Sequence, residues 1–93
     1  MTDLHLTIAV IKDIVARLKR DPALASQLED CADLVDGVAM DSLELLQFML
    51  ELEERLAIQI DFERFEFSYL RSIVTLAAFL DSMPRRQAIA GAA

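Results

Sequence analysis

Apolar residues recur at intervals of three and four in three stretches of the chain, and each stretch predicts an amphipathic helix. In the first, residues 3–20, Leu4, Ile8, Ile11, Val15 and Leu18 share a stripe that Ile14 widens, while Lys12, Asp13, Arg17 and Lys19 take the other side. Thr2 or Asp3 can cap its start, and Lys19 and Arg20 suit the negative end of its dipole. Asp21-Pro22 stops this helix. The same pair can open a short helical turn over residues 22–28, with aspartate as cap and proline at the first helical position. The second stretch, residues 42–57, carries the strongest pattern, with Leu45, Met49, Leu52 and Leu56 on one face and Phe48 beside them. Asp41-Ser42 is a cap signal, and Glu44 in the first turn suits the positive dipole end. The third, residues 73–83, is capped by Ser72, turns Ile73, Leu76, Leu80 and Met83 inward and ends at Pro84.

The segments between are equally specific. Residues 29–41 form a long loop, which the apolar anchors Leu28, Leu34 and Val38 pin to the core; such loops in compact domains are usually functional or disordered, and the anchors favour function. Residues 57–61 break the helical period and read as an extended link. A short helix is expected over 62–67, and the cluster Phe62, Phe65, Phe67 and Tyr69 is expected to fill core space rather than line a ligand box. The tail 85–93 is small and polar and is expected to fray. The architecture is therefore all-α over residues 1–84: a bundle of three long helices and a short one, with the longest loop between the first two long helices.

The second long helix carries more apolar surface than a core needs. Leu43, Leu46 and Leu50 form another stripe, set apart from Leu45–Leu52 and fringed by Glu44, Gln47, Glu51, Glu53 and Glu54. A second stripe bordered by acids suits docking, in which carboxylates steer a basic partner and leucines supply contact area. The alternative is that a small bundle surrounds this helix and buries both stripes.

Composition narrows the partners. Ninety-three residues make one domain, and a 55% hydrophobic content with two glycines and two prolines suits a helical core. A net charge of −7 argues against nucleic acid and anionic membrane surfaces and favours a partner with a basic patch. No apolar run reaches membrane-spanning length. The single Cys31 cannot form an internal disulfide, and the first residues lack a basic leader, so a cytoplasmic monomer is expected.

Candidate chemistry centres on Ser42. No Gly-x-Ser-x-Gly elbow surrounds it, and His5, the single histidine, would have to approach from the far N-terminus, so a nucleophilic serine is disfavoured. One His and one Cys do not make a zinc site, and Asp30, Asp33 and Asp36 lack the glycine-centred calcium-loop pattern. Cys31 is expected to be a small, partly buried loop residue without a base to activate it. A helix-start serine between an acid and a leucine reads instead as an attachment point.

The segment Asp36-Gly37-Val38-Ala39-Met40-Asp41-Ser42-Leu43-Glu44-Leu45-Leu46-Gln47-Phe48, followed by Leu52-Glu53-Glu54-Arg55-Leu56-Ala57-Ile58-Gln59-Ile60, resembles the acyl and peptidyl carrier proteins. The likeness covers roughly residues 30–80. It implies a four-helix bundle that catalyses nothing itself. In such carriers a 4′-phosphopantetheine arm is joined to the motif serine, here Ser42, and holds an acyl or aminoacyl group as a thioester. The resemblance further implies roles for Asp41 toward the modifying enzyme and its metal, and for Leu43 beside the arm. Glu44, Leu46, Gln47, Leu50, Glu53 and Glu54 would meet partners. Those partners would be a phosphopantetheinyl transferase, an adenylate-forming acyl or aminoacyl ligase, and a downstream acyltransferase or synthase. Many fatty-acid carriers place glycine three residues before the serine; here Gly37 stands five before it, which is closer to D-alanyl and other stand-alone aminoacyl carriers. A helical adaptor of the same fold, using the Leu43/Leu46/Leu50 face without an arm, is the alternative.

Overall fold

The computed structural model describes residues 4–84. Its elements are α1 (Leu4–Leu18), α2 (Leu24–Gln27), α3 (Ser42–Leu56), a 3-10 helix (Phe67–Arg71) and α4 (Ile73–Asp81), with no strand among the described residues. This is the expected all-α bundle of the acyl-carrier type. The expected caps Thr2 and Asp3 and the tail 85–93 lie outside the described residues.

Helix α1 is the hub: it packs against α2, α3 and α4. Its buried face is Thr7, Ile8, Ile11, Ile14, Val15 and Ala16. Two ion pairs join it to α3, Arg17–Glu51 and Asp13–Arg55, and a third, Lys19–Glu44, is made by the residue just past its end. Rising numbers on one helix meet falling numbers on the other, so the two run antiparallel. The core closes with Phe48, Met49 and Leu52 from α3, Ile73, Leu76, Ala77 and Leu80 from α4, and Leu34 from the long loop. Phe48 is fully buried and more central than Leu45 or Leu56, which are half-buried. Truncating it to alanine would cost on the order of 3–5 kcal/mol. Leu4, expected on the buried stripe, is exposed. Thr7 extends that face instead, its hydroxyl donating to Asp81 Oδ1 at 2.6 Å.

The aromatic segment differs from expectation. Its short helix lies at Phe67–Arg71, not at 62–67. Asp61 is the cause: its carbonyl accepts the amides of Arg64 and Phe65, and its Oδ1 accepts the Glu63 amide at 3.0 Å, which closes residues 61–65 into a single turn. Phe65 and Tyr69 pack edge-on against each other and onto Phe79 of α4, but Phe62 and Phe67 are exposed, so only half of the cluster serves the core. Ser72 takes the cap position of α4 without a side-chain capping bond.

The long loop is pinned as expected, by backbone as well as side chains. Leu34 is buried and its amide donates to the Leu70 carbonyl at 2.9 Å, while the amides of Ile73 and Val74 donate to Ala32 and Asp30. Asp33 organises the turn, its Oδ1 accepting from Val35 and Asp36. Gly37 is required there because a Cβ would stand 2.6 Å from the Asp33 carbonyl oxygen. Cys31 is exposed on this loop rather than partly buried, since Ala32 and Leu34 take the inward positions.

Candidate attachment site

Met40 is the last anchor before the site: it is buried, and its amide donates to the Leu34 carbonyl at 3.2 Å. Asp41 follows in extended backbone (φ −83°, ψ 178°), and helix starts at Ser42. Asp41 Oδ1 accepts the Glu44 amide at 2.8 Å, Glu44 Oε1 accepts the Asp41 amide at 3.0 Å, and the Asp41 carbonyl accepts the Leu45 amide. This capping box uses every free donor of the first turn except two. The amides of Ser42 and Leu43 have no protein acceptor among the described residues, and neither does the Ser42 hydroxyl.

Ser42 is exposed, so a group attached to it leaves directly into solvent. Two unengaged amides and the positive end of a 15-residue helix lie at its side. That environment favours a phosphate-sized anion on the hydroxyl. Among the described residues no side chain hydrogen-bonds the Ser42 hydroxyl. His5 lies in the first turn of α1, and the antiparallel pairing places that turn at the far end of α3, beyond the Asp13–Arg55 contact.

The second leucine stripe is solvent-facing: Leu43, Leu46 and Leu50 are 64%, 58% and 54% exposed, which removes the alternative that the bundle buries it. Gln47 and Glu54 are exposed beside it. The other acids are occupied within the chain. Glu44 serves the capping box and Lys19, Glu51 pairs with Arg17, and Glu53 Oε2 accepts the Ile60 amide at 2.9 Å. Glu44 and Glu53 thus hold the fold at the two ends of α3; the place of Glu44 at the helix start was legible in the sequence, but its bond to Lys19 and that of Glu53 to the Ile60 amide were not.

Among the described residues no group of three or more His, Cys, Asp or Glu side chains is placed to hold a metal ion, and the acids of the long loop pair with cations of the chain. Asp30 pairs with Lys12, whose ammonium holds its carboxyl below the usual range. Asp33 and Asp36 share Arg71, and the Asp36 amide is the largest influence holding Asp33 low.

One feature escaped the sequence pattern. Ala39, three residues before Ser42, sits in left-handed backbone at φ 60°. That is the position at which the resemblance leads one to expect glycine. Glycine itself would have been the signal, and alanine hides it.

An all-α bundle that presents an exposed serine at the capped N-terminus of a long helix has the arrangement of a carrier domain. The family model for the phosphopantetheine attachment site matches residues 9–80, more than half of the chain, and the chain belongs to that family. Members bind 4′-phosphopantetheine covalently on a serine. No curated protein and no solved structure matches the chain.

Proposed function

We propose that Ser42 is the attachment serine and that the chain carries an acyl or aminoacyl group on the arm to partner enzymes. The observation that carries this is the exposed Ser42 hydroxyl, which has no partner among the described residues, beside the amides of Ser42 and Leu43, which have no acceptor among them either. Those amides would hold the phosphodiester, and Asp41, locked in the cap, would face the modifying enzyme and its metal. When bound, the arm supplies a terminal thiol that accepts the cargo. Tethering raises the effective concentration of that cargo at each partner and so favours transfer between them. The exposed Leu43, Leu46 and Leu50, with Gln47 and Glu54, form the face on which a phosphopantetheinyl transferase, an adenylate-forming ligase and a downstream acyltransferase or synthase would dock.

The test is incubation with coenzyme A and a phosphopantetheinyl transferase, followed by intact-mass spectrometry. One arm is expected per chain, and none on Ser42→Ala. An unmodified wild-type chain, under conditions that load another carrier, would refute the assignment, as would an arm persisting on the Ser42→Ala variant.

A further inference from the structure

Lys19 stands just past the end of α1 and reaches the turn that presents Ser42. Its ammonium lies 3.2 Å from the Ala39 carbonyl oxygen and 3.1 Å from Glu44 Oε1. These acceptors flank the serine, one on the incoming loop and one in the first turn of α3. The same Glu44 oxygen accepts the Asp41 amide, so a single atom joins the cap to the lysine. The backbone being held is a strained one. Ala39 is left-handed, a conformation that persists in a non-glycine residue only where surrounding contacts over-determine it.

Lys19 is itself firmly placed. Its amide donates to the Val15 carbonyl at 2.9 Å, and behind it the left-handed Arg20 closes α1 with Asp21 N–H bonded to the Ala16 carbonyl. The neighbouring ion pairs differ in kind. Arg17–Glu51 and Asp13–Arg55 join helix to helix, whereas Lys19 also bonds a loop carbonyl beside the serine. Its side chain is 25% exposed, against 56% for Arg17.

We propose that Lys19 is a positioning residue for modification of Ser42: it clamps both sides of the turn so that the hydroxyl is presented in one orientation. The inference rests on Ser42 being the attachment point. Without the clamp the strained turn samples other backbone states, and the transferase must order it before reaction. The loss therefore falls on the chemical step more than on encounter.

The test uses the full chain, coenzyme A and a phosphopantetheinyl transferase. Lys19→Met keeps the aliphatic stem and removes the donors. Its kcat is expected to fall on the order of tenfold, with KM for the chain within about twofold of wild type. Arg17→Met, which breaks the adjacent rung, should lose similar thermal stability with unchanged kinetics, and Lys19→Arg should restore most of the rate. In the unmodified chain, amide exchange at Asp41 and Glu44 should accelerate in Lys19→Met. Wild-type kcat in Lys19→Met, an equal kinetic loss in Arg17→Met, or unchanged exchange would each overturn the proposal. If the wild-type chain takes no arm at all, the Ser42 assignment fails and the role of Lys19 fails with it. If wild type is loaded normally and Lys19→Met matches it, Lys19 alone is refuted.

Discussion

Asp41 and Glu44 cap each other across the first turn of α3, each accepting the other's backbone N–H, at 2.8 and 3.0 Å. The exchange fixes where helix begins and leaves Ser42 and Leu43 between the two bonds with their own amides free. Asp41→Ala removes one half of the box. Unfolding free energy should fall by about 1 kcal/mol, within the usual range for a lost cap. Asp41→Asn, which keeps an acceptor oxygen, should retain most of it. Urea denaturation of both variants decides the matter, and equal stability of Asp41→Ala and wild type would show the box to be idle.

The backbone at Ala57 allows a gain in stability. Ala57 ends α3 in left-handed backbone (φ 54°, ψ 46°), which an L side chain occupies at a cost of about 1–2 kcal/mol. Ala57→Gly removes that cost, offset in part by the greater freedom of glycine in the unfolded chain, so stability should rise by up to about 1 kcal/mol. Gly37→Ala should act in the opposite sense, because its new Cβ would meet the Asp33 carbonyl at 2.6 Å and backbone cannot yield as a side chain can. A loss of about 1–3 kcal/mol is expected, typical of overpacking. The shift of the urea midpoint gives the sign in each case.

The contrast between these residues shows what the chain made legible. Helices α1, α3 and α4 were readable because their inward residues repeat at helical spacing, and Asp41-Ser42 marked the start of α3 directly. The exposure of Leu43, Leu46 and Leu50 was offered by the second stripe and needed only the bundle to leave that side open. What stayed hidden depends on partners distant in sequence. Glu44 and Glu53 look like surface acids until Lys19 and the Ile60 amide are brought to them. The displaced helix at Phe67–Arg71 follows from Asp61 closing its own turn and from Leu70 pairing with Leu34, neither of which has a periodic signature. Ala39 gives no local sign of its left-handed backbone, because the residue type is the wrong one for it.

Acid should loosen the long loop. The Asp33 carboxylate is held below its ordinary value of 3.8, first by the Asp36 amide and also by the Val35 amide and Arg71, with burial opposing them. Asp30 is likewise held low, chiefly by Lys12. A lowered folded value means that the unfolded chain takes up the proton more readily. The stabilisation is therefore complete above the unfolded value, declines as pH drops past it, and is gone once pH has fallen through the folded value. Urea midpoints measured from about pH 6 down to about pH 2 should fall along this limb. Asp33→Asn keeps an acceptor for the turn and loses the charge, so its acid limb should be shallower than that of wild type. A variant curve parallel to wild type would assign the acid sensitivity elsewhere.

The outward leucines should matter to a partner and not to the fold. Leu46 and Leu50 are more than half exposed, so replacing both with aspartate should change unfolding free energy by no more than about 1 kcal/mol, since exposed positions are generally tolerant. The same change places two charges in the middle of an apolar contact. With the phosphopantetheinyl transferase as the partner, KM for the chain should rise on the order of tenfold, equivalent to about 1.4 kcal/mol of lost association, while kcat changes little. That pattern is the reverse of the one expected for Lys19→Met, so two variants read in one assay separate docking from presentation of the serine. Glu44→Lys is a poor probe of the same face, because it breaks the capping box and sets a second cation against Lys19. If the double aspartate variant instead unfolded readily, or was modified with wild-type KM, the leucine face would not be where the transferase binds.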